Sequence, residues 1–182
     1  MGTIERPRED GEVIDRQTVR FKRLLPGSIE RMWAYLTEPE KRAQWFAGGP
    51  MELREGGKAT LFFQHKNLMQ PGETAPESYK QAVEGLTHDI LITQCEPPRL
   101  LAYTWGASGE NSEVVFELEP QGDKVLLTLT HQKLPNREEM RGNAGGWHLH
   151  LTMLTHLLEG TQPPRFWDTH ALLEEKYRKL VP

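Results

Sequence analysis

The chain has a single cysteine, Cys95, in 182 residues. An internal disulfide is therefore excluded, and a reducing compartment, the cytoplasm, is the simplest expectation. No apolar run approaches the roughly 18 residues of a membrane-spanning helix. The first ten residues, Met1 to Asp10, lack the apolar region of a secretory signal, and Arg6 stands where a myristoylation pattern wants Ser or Thr. Lysine and arginine number 22 against 26 aspartates and glutamates, a formal net charge of -4, with no long basic run, which argues against nucleic acid as a partner. Catalytic signatures are equally scarce. Gly56-Gly57-Lys58 lacks the upstream glycine and the following hydroxyl residue of a phosphate loop. No Gly-x-Ser-x-Gly elbow occurs. Cys95 falls at a strand end among apolar residues and reads as a small hydrophobe. No catalytic residue is assigned from the sequence, and no metal or cofactor is expected.

What is present is a well-patterned globular chain. Charged residues make up 26% and hydrophobic residues 37%, and the length suits one domain with a real core. The stretch Gly145 to Gly160 is read as a closing helix. At 100° per residue, Trp147, Leu151, Leu154 and Leu158 share one side, while His148, Thr152, Thr155, His156 and Glu159 share the other. Gly160 suits a left-handed helix end, Pro163-Pro164 bars continuation, and Gly145-Gly146 falls where the chain enters the helix. His150 breaks the pattern by lying on the apolar side. His148 and His150, two residues apart, face nearly opposite ways and cannot share one ion on a helix.

The rest of the chain reads as strands with two short helices near the start. Residues 1–16 are charged and form a flexible arm. Gln17 to Leu25 alternates as a first strand. Ser28 caps a helix with Ile29, Met32, Trp33 and Leu36 inward, and Pro39 opens a second that brings Trp45 and Phe46 inward. Strands follow over Met51–Arg54, Lys58–His65, His88–Cys95, Leu100–Trp105, Ser112–Glu119 and Val125–Lys133, separated by turn residues, as in an antiparallel meander. Residues 66–87 form an insertion, with a helical turn or two over Pro76–Glu84. Arg137 to Met140 is read as a short helix before the closing one. Residues 161–182 make a helical tail, in which Asp168 caps a final helix carrying Leu172, Leu173, Tyr177 and Leu180.

This order resembles the helix-grip fold of the START-like, or SRPBCC, superfamily, and within it the domain family of homologues of the activator of heat-shock protein 90 ATPase. The residues that carry the resemblance are Pro26 to Trp33, Trp45-Phe46, Gly56-Gly57, Glu96-Pro97-Pro98 through Trp105, Val114 to Leu118, Leu127 to His131, and Gly145-Gly146-Trp147. They span Thr18 to Gly160. The resemblance implies an α+β architecture over residues 17–160: a curved antiparallel sheet of about six to seven strands wrapped around a long C-terminal helix, with two short helices after the first strand. It implies a cavity between sheet and helix. It does not imply one activity, because the superfamily includes carriers of hydrophobic ligands, cyclases, oxygenase subunits and co-chaperone domains.

The inward registers give the candidate lining: Phe63, His65, Tyr103, Trp105, Phe116, Leu118, Leu127, Leu129, His131, Trp147, His150, Leu151 and Leu154. Alternation fixes direction and not empty space, so a solid core is the competing expectation. His65, His131 and His150 come from three elements and aim at one interior on these registers. Such a group would orient a polar head, move a proton, or in the extreme hold zinc. The bland alternative is histidines satisfied by backbone partners. Three functions are carried forward. The first is binding of a small hydrophobic or aromatic molecule between sheet and helix. The second is an enzyme of cyclase, dehydratase or hydrolase type using His150 or His131 as acid/base. The third is a stress-related co-chaperone interaction with a chaperone partner. Monomer and homodimer remain open, with Trp33 and Phe166-Trp167 as intramolecular anchors or a dimer contact.

Overall fold

Apolar side chains recurring at every second residue pair most strands with a neighbour in sequence, while the first long strand, Thr18–Pro26, pairs with the last, Lys124–Gln132. The computed structural model describes residues 5–106 and 112–182. It forms a curved, wholly antiparallel sheet of seven strands: β1 (Glu12–Asp15), β2 (Thr18–Pro26), β3 (Lys58–Phe63), β4 (Leu86–Glu96), β5 (Leu100–Trp105), β6 (Ser112–Gln121) and β7 (Lys124–Gln132). The order across the sheet is β1-β2-β7-β6-β5-β4-β3. Two short helices, α1 (Ile29–Thr37) and α2 (Pro39–Arg42), follow β2, and α3 (Lys80–Glu84) lies in the insertion. The long helix α4 spans Arg137–Glu159, and α5 spans Phe166–Leu180. The architecture is the helix grip.

Register aligns the inner rows. Phe21 of β2 pairs with Leu129 of β7, which pairs with Phe116 of β6. All three are buried, as are Val114, Leu118, Leu127, Leu151 and Leu154. Helix α1 starts at Ser28, whose Oγ accepts from Arg31 N–H at 3.2 Å. After α2, Arg42 is the hub of the turn that leads back to the sheet. Its buried guanidinium donates to the carbonyls of Ala47 at 2.8 Å, Thr37 at 3.1 Å and Gly48 at 3.0 Å, and also to that of Gly49. Gly49 has φ +96°, and a Cβ there would sit 2.1 Å from the Thr60 carbonyl oxygen, so only glycine fits.

Several local expectations are corrected. Part of the anticipated arm is strand: Val13 pairs with Val19 in β1–β2, and Gly11 N–H donates to Tyr177 Oη at 2.7 Å. Charged strands pair readily at an edge, where one side faces water; the first four residues of the arm lie outside the described residues. Met51–Arg54 makes no strand, only the single bridge Met51 to Ala59, because Arg54 N–H turns back to the Glu52 carbonyl at 2.8 Å. Lys58–His65 ends early, at Phe63, and His65 opens a separate 3-10 turn over His65–Asn67. Helix α4 begins at Arg137, capped by Asn136 Oδ1 on Glu139 N–H at 2.9 Å, so no separate helix precedes it and Gly145-Gly146 lies well inside it. Its end is as expected, with Gly160 at φ +70°.

The face of α4 expected to meet water is covered. His148 is buried because α5 packs there, and its Nδ1 lies 2.8 Å from Tyr177 Oη. In α5 the cap residue is Arg165 and not Asp168. Asp168 accepts from Arg165 Nε at 3.0 Å, while the free N–H of Trp167 is taken by Glu73 Oε1 of the insertion at 2.7 Å. Leu173 and Tyr177 are buried, whereas Leu172 is 73% exposed and Leu180 43%.

Arg42→Met keeps the aliphatic stem and deletes every donor to those four carbonyls. It is expected to lower the free energy of unfolding by about 3 kcal/mol or more, read as a lower urea midpoint. An unchanged midpoint would show that the turn after α2 stands without the guanidinium.

Candidate functional site

The sheet and α4 do not close on each other along their whole length. Toward the C-terminal half of α4 the space is filled by Tyr103, Phe116, Leu118, Leu129, Leu151 and Leu154, each no more than 4% exposed. Toward its N-terminal half a cavity of about 210 Å³ remains. Phe63 and His88 from the β3–β4 edge, Trp105 at the end of β5, and Phe46 after α2 form the sheet side. The helix contributes Asn143, Gly146, Trp147 and His150 at the three- and four-residue spacing of one face, with Gly142 and Leu149 beside them. The third side comes from outside the basic grip. Tyr79 and Ala82 belong to the insertion, with Leu86 beside them at the start of β4, and Phe166, Trp167 and His170 belong to α5.

The candidate residues therefore separate. Phe63, His65, Trp105, Trp147 and His150 line this cavity. Tyr103, Phe116, Leu118, Leu127, Leu129, Leu151 and Leu154 face inward but lie in filled core, each no more than 4% exposed and absent from the cavity wall. His131 is excluded from the cavity by Trp147. The Trp147 indole Nε1–H donates to His131 Nδ1 at 3.0 Å. Nδ1 is thus the acceptor, and Nε2–H donates to Ser112 Oγ at 2.8 Å, whose hydroxyl donates to the Trp105 carbonyl at 3.0 Å. Every polar atom in that chain has a partner, so the sheet holds His131 as a structural histidine.

His65 and His150 do meet, with ring centroids 5.5 Å apart. His150 Nδ1–H donates to the Trp45 carbonyl at 2.9 Å, which fixes Nε2 as an acceptor. His65 is 8% exposed, and neither ring nitrogen has a partner. Trp167 Nε1–H, in the same wall, is also buried without one. An unpartnered buried polar group costs about 1–3 kcal/mol, and two side chains of one cavity carry three such atoms. The remaining surroundings are aromatic: Phe166 at 5.2 Å and Trp167 at 5.8 Å from the His65 ring, and Phe46 at 5.1 Å from that of His150.

Two histidines, His88 and His170, and the whole third wall are absent from the candidate set. His88 was legible: it shares parity with the buried Ile90 and Ile92 of β4. His170 follows Phe166 by one helical turn, but nothing in its own spacing shows that α5 folds back against α4. Among the described residues, no group of three or more His, Cys, Asp or Glu stands close enough to hold a metal ion.

Burial keeps these imidazoles neutral. Desolvation, with the His150 and His170 rings nearby, pushes His65 down to about 3. Desolvation pushes His131 to about 3, and His148 to about 4 with help from Arg23 and Lys176. Desolvation takes His150 to about 4 against the opposing hydrogen bond to Trp45. These values lie below that of a free histidine, about 6.5. The unfolded chain therefore takes up protons first as the pH falls. The associated stability is complete above about pH 6.5 and is lost as pH drops toward 4 and then 3. Urea midpoints are expected to fall between pH 7 and pH 5, with uptake of more than one proton on unfolding. A midpoint constant over that range would contradict the burial of neutral imidazoles.

The comparisons with known proteins bear on the fold. The family described as activator of Hsp90 ATPase homolog 1-like protein matches residues 26–159. The solution structure of a protein from Bordetella parapertussis is 44% identical, with a TM-score of 0.80 over 95% of this chain and 91% of that one. CalU16 from Micromonospora echinospora is 22% identical, with a TM-score of 0.65 over 94% of each chain. A conserved protein of unknown function from Enterococcus faecalis is 20% identical, with a TM-score of 0.63 over 92% and 90%. No curated protein matches the sequence. No helix among the described residues is long and apolar enough to cross a membrane. With most of its length matched and the grip architecture present, the chain belongs to the family of activator of Hsp90 ATPase homolog 1-like proteins.

Proposed function

We propose that this protein binds a small aromatic molecule bearing a neutral hydroxyl or similar group in the cavity between the sheet and the N-terminal half of α4. One observation carries the reading: a cavity walled by Phe46, Phe63, Trp105, Trp147, Phe166 and Trp167 contains His65 with both ring nitrogens unpartnered. Aromatic walls favour a flat apolar body, which gains from burial and from offset or edge contacts. A hydroxyl both donates and accepts. It complements neutral His65, the acceptor Nε2 of His150 and the donor Nε1–H of Trp167. A carboxylate would enter an aromatic-walled site whose histidines are neutral, and would lose hydration without gaining a cation.

Enzymatic use of the same cavity requires a second polar group positioned on a reacting bond. The neutral His65–His150 pair supplies two imidazoles and no nucleophile or oxyanion donor set, which favours binding. A co-chaperone role rests on the family description alone.

Native mass spectrometry of protein purified from its own host, against the denatured mass, reads any resident ligand directly. In titration, para-methoxyphenol is expected to change tryptophan fluorescence saturably, since Trp105, Trp147 and Trp167 line the cavity. His65→Phe is expected to weaken it about fivefold, the equivalent of one net hydrogen bond near 1 kcal/mol. Absence of saturable binding by any small aromatic, together with a clean apo mass, would sink the reading.

A further inference from the structure

Helix α4 carries glycine at 142, 145 and 146, inside a well-capped helix of 23 residues. Glycine is a poor helix former, and three in five positions weaken the helix unless something needs the space. Close packing is the usual need, and it is absent here. A Cβ built at each of the three would meet nothing within 4 Å beyond the helix's own backbone. The glycines leave room that no part of the described protein fills.

At Gly146 that room belongs to the aromatic cavity, and at Gly142 and Gly145 to a second cavity, about 350 Å³, which adjoins the aromatic one and shares Tyr79, Gly142 and His170 with it. Its wall is charged, with Glu138 and Arg141 from α4 and Glu174 and Arg178 from α5. Alone, the aromatic cavity falls short of the roughly 300–1,000 Å³ of ordinary ligand sites. His65, more than nine-tenths buried in the aromatic wall with both nitrogens unpartnered, marks the inner end.

We infer that the two cavities are one binding site, floored by Gly142, Gly145 and Gly146, and that its ligand has an aromatic head and a flexible hydrophilic tail. This rests on the ligand-binding reading above and extends it. The head lies among Phe46, Trp147 and Trp167 with its polar atom toward His65. The tail runs over the glycines, where a side chain would block it, and ends between Arg141 and Glu174. Mixed charges there suit ether, hydroxyl or amide groups better than a charged or purely hydrocarbon tail.

The test uses the full chain and a series of phenols with para-substituents of growing length: methoxy, then mono-, di- and tri(ethylene glycol) ethers. Affinity is expected to rise about tenfold across the series. Gly145→Leu places a side chain in the second cavity only, since Gly145 is absent from the wall of the first. It should abolish that gain while para-methoxyphenol still binds, and the melting temperature should hold or rise because leucine favours helix. Should Gly145→Leu fail to fold, Gly145→Ala and Arg178→Ala, at an exposed position, are expected to reduce the gain. If para-methoxyphenol binds but longer tails bring no gain, or the gain survives these substitutions, the extended site is wrong and the simple cavity stands. If no phenol in the series binds, both readings fall.

Discussion

Trp147 joins the closing helix to the sheet through one hydrogen bond, from its indole Nε1–H to His131 Nδ1 at 3.0 Å. The rest of the interior is arranged around it. Its ring lies 5.0 Å from Phe46, 5.3 Å from Trp105 and 5.9 Å from Phe116. On one side, Leu151, Leu154 and Phe116 close into filled core; on the other, the helix carries Asn143 and glycines, and the sheet and helix part. The bond also settles chemistry. By requiring Nδ1 of His131 as an acceptor, it commits Nε2–H to Ser112 and removes that histidine from any role in the cavity. A buried hydrogen bond of this kind contributes only about 1 kcal/mol net, but it fixes where packing ends and open space begins.

The cavity's third wall comes from the insertion and from residues beyond the family match. Phe166, Trp167 and His170 lie beyond residue 159, the end of the match. They are held in place by the insertion. Glu73 accepts the N–H groups of Trp167 and Gln70, each at 2.7 Å, and Gln70 Nε2 donates to the Pro163 carbonyl at 2.8 Å. Burial acts to raise the Glu73 carboxyl, but hydrogen bonds from the backbone of Gln70, Trp167 and Phe166 outweigh it and leave it below the usual range. A carboxylate at the start of α5 also opposes the helix dipole favourably. Family membership accounts for the sheet and the gripped helix, while the surfaces that would choose a ligand lie partly in the insertion and tail. Membership therefore carries the architecture, while most of the third wall lies in the insertion and beyond the matched residues.

The fold was legible because its signals are local. Alternation in Val114, Phe116 and Leu118, the caps at Ser28 and Gly160, and the glycine-bearing hairpin turn at Gly122 each depend on neighbours in sequence. The failures have physical causes of a different range. A charged edge strand such as Glu12–Asp15 has no apolar alternation to read, because neither of its faces is buried. The start of α4 was misplaced because a glycine pair inside a helix contradicts propensity, and propensity is all that a sequence shows at that point. His148 looked solvent-facing because the face of α4 that it shares with Thr152 is covered only once α5 has folded back. Direction was right at Phe116, Leu129 and Leu151, yet the sequence had no means of separating filled space from empty.

Two departures from the rules of a stable interior coincide at this cavity. Neutral His65 and Trp167 carry buried nitrogens without partners, and α4 carries three glycines with nothing packed against them. Each is unfavourable alone, the glycines by about 1 kcal/mol apiece relative to alanine. If they were accidents of a tolerant core, they would be scattered. Arg23 and Thr93 show that unpartnered atoms do occur elsewhere in this protein, so a single such atom decides little. Neither Arg23 nor Thr93 lines the aromatic cavity or the charged one beside it. At His65 and Trp167 the missing partners border space that a molecule could fill, and the helix beside that space has been kept free of side chains at a cost in its own stability. Sites that break local rules in concert are where stability has been exchanged for function. A bound ligand that satisfied those nitrogens would remove their penalty, and its burial in that space would offset the cost of the glycines.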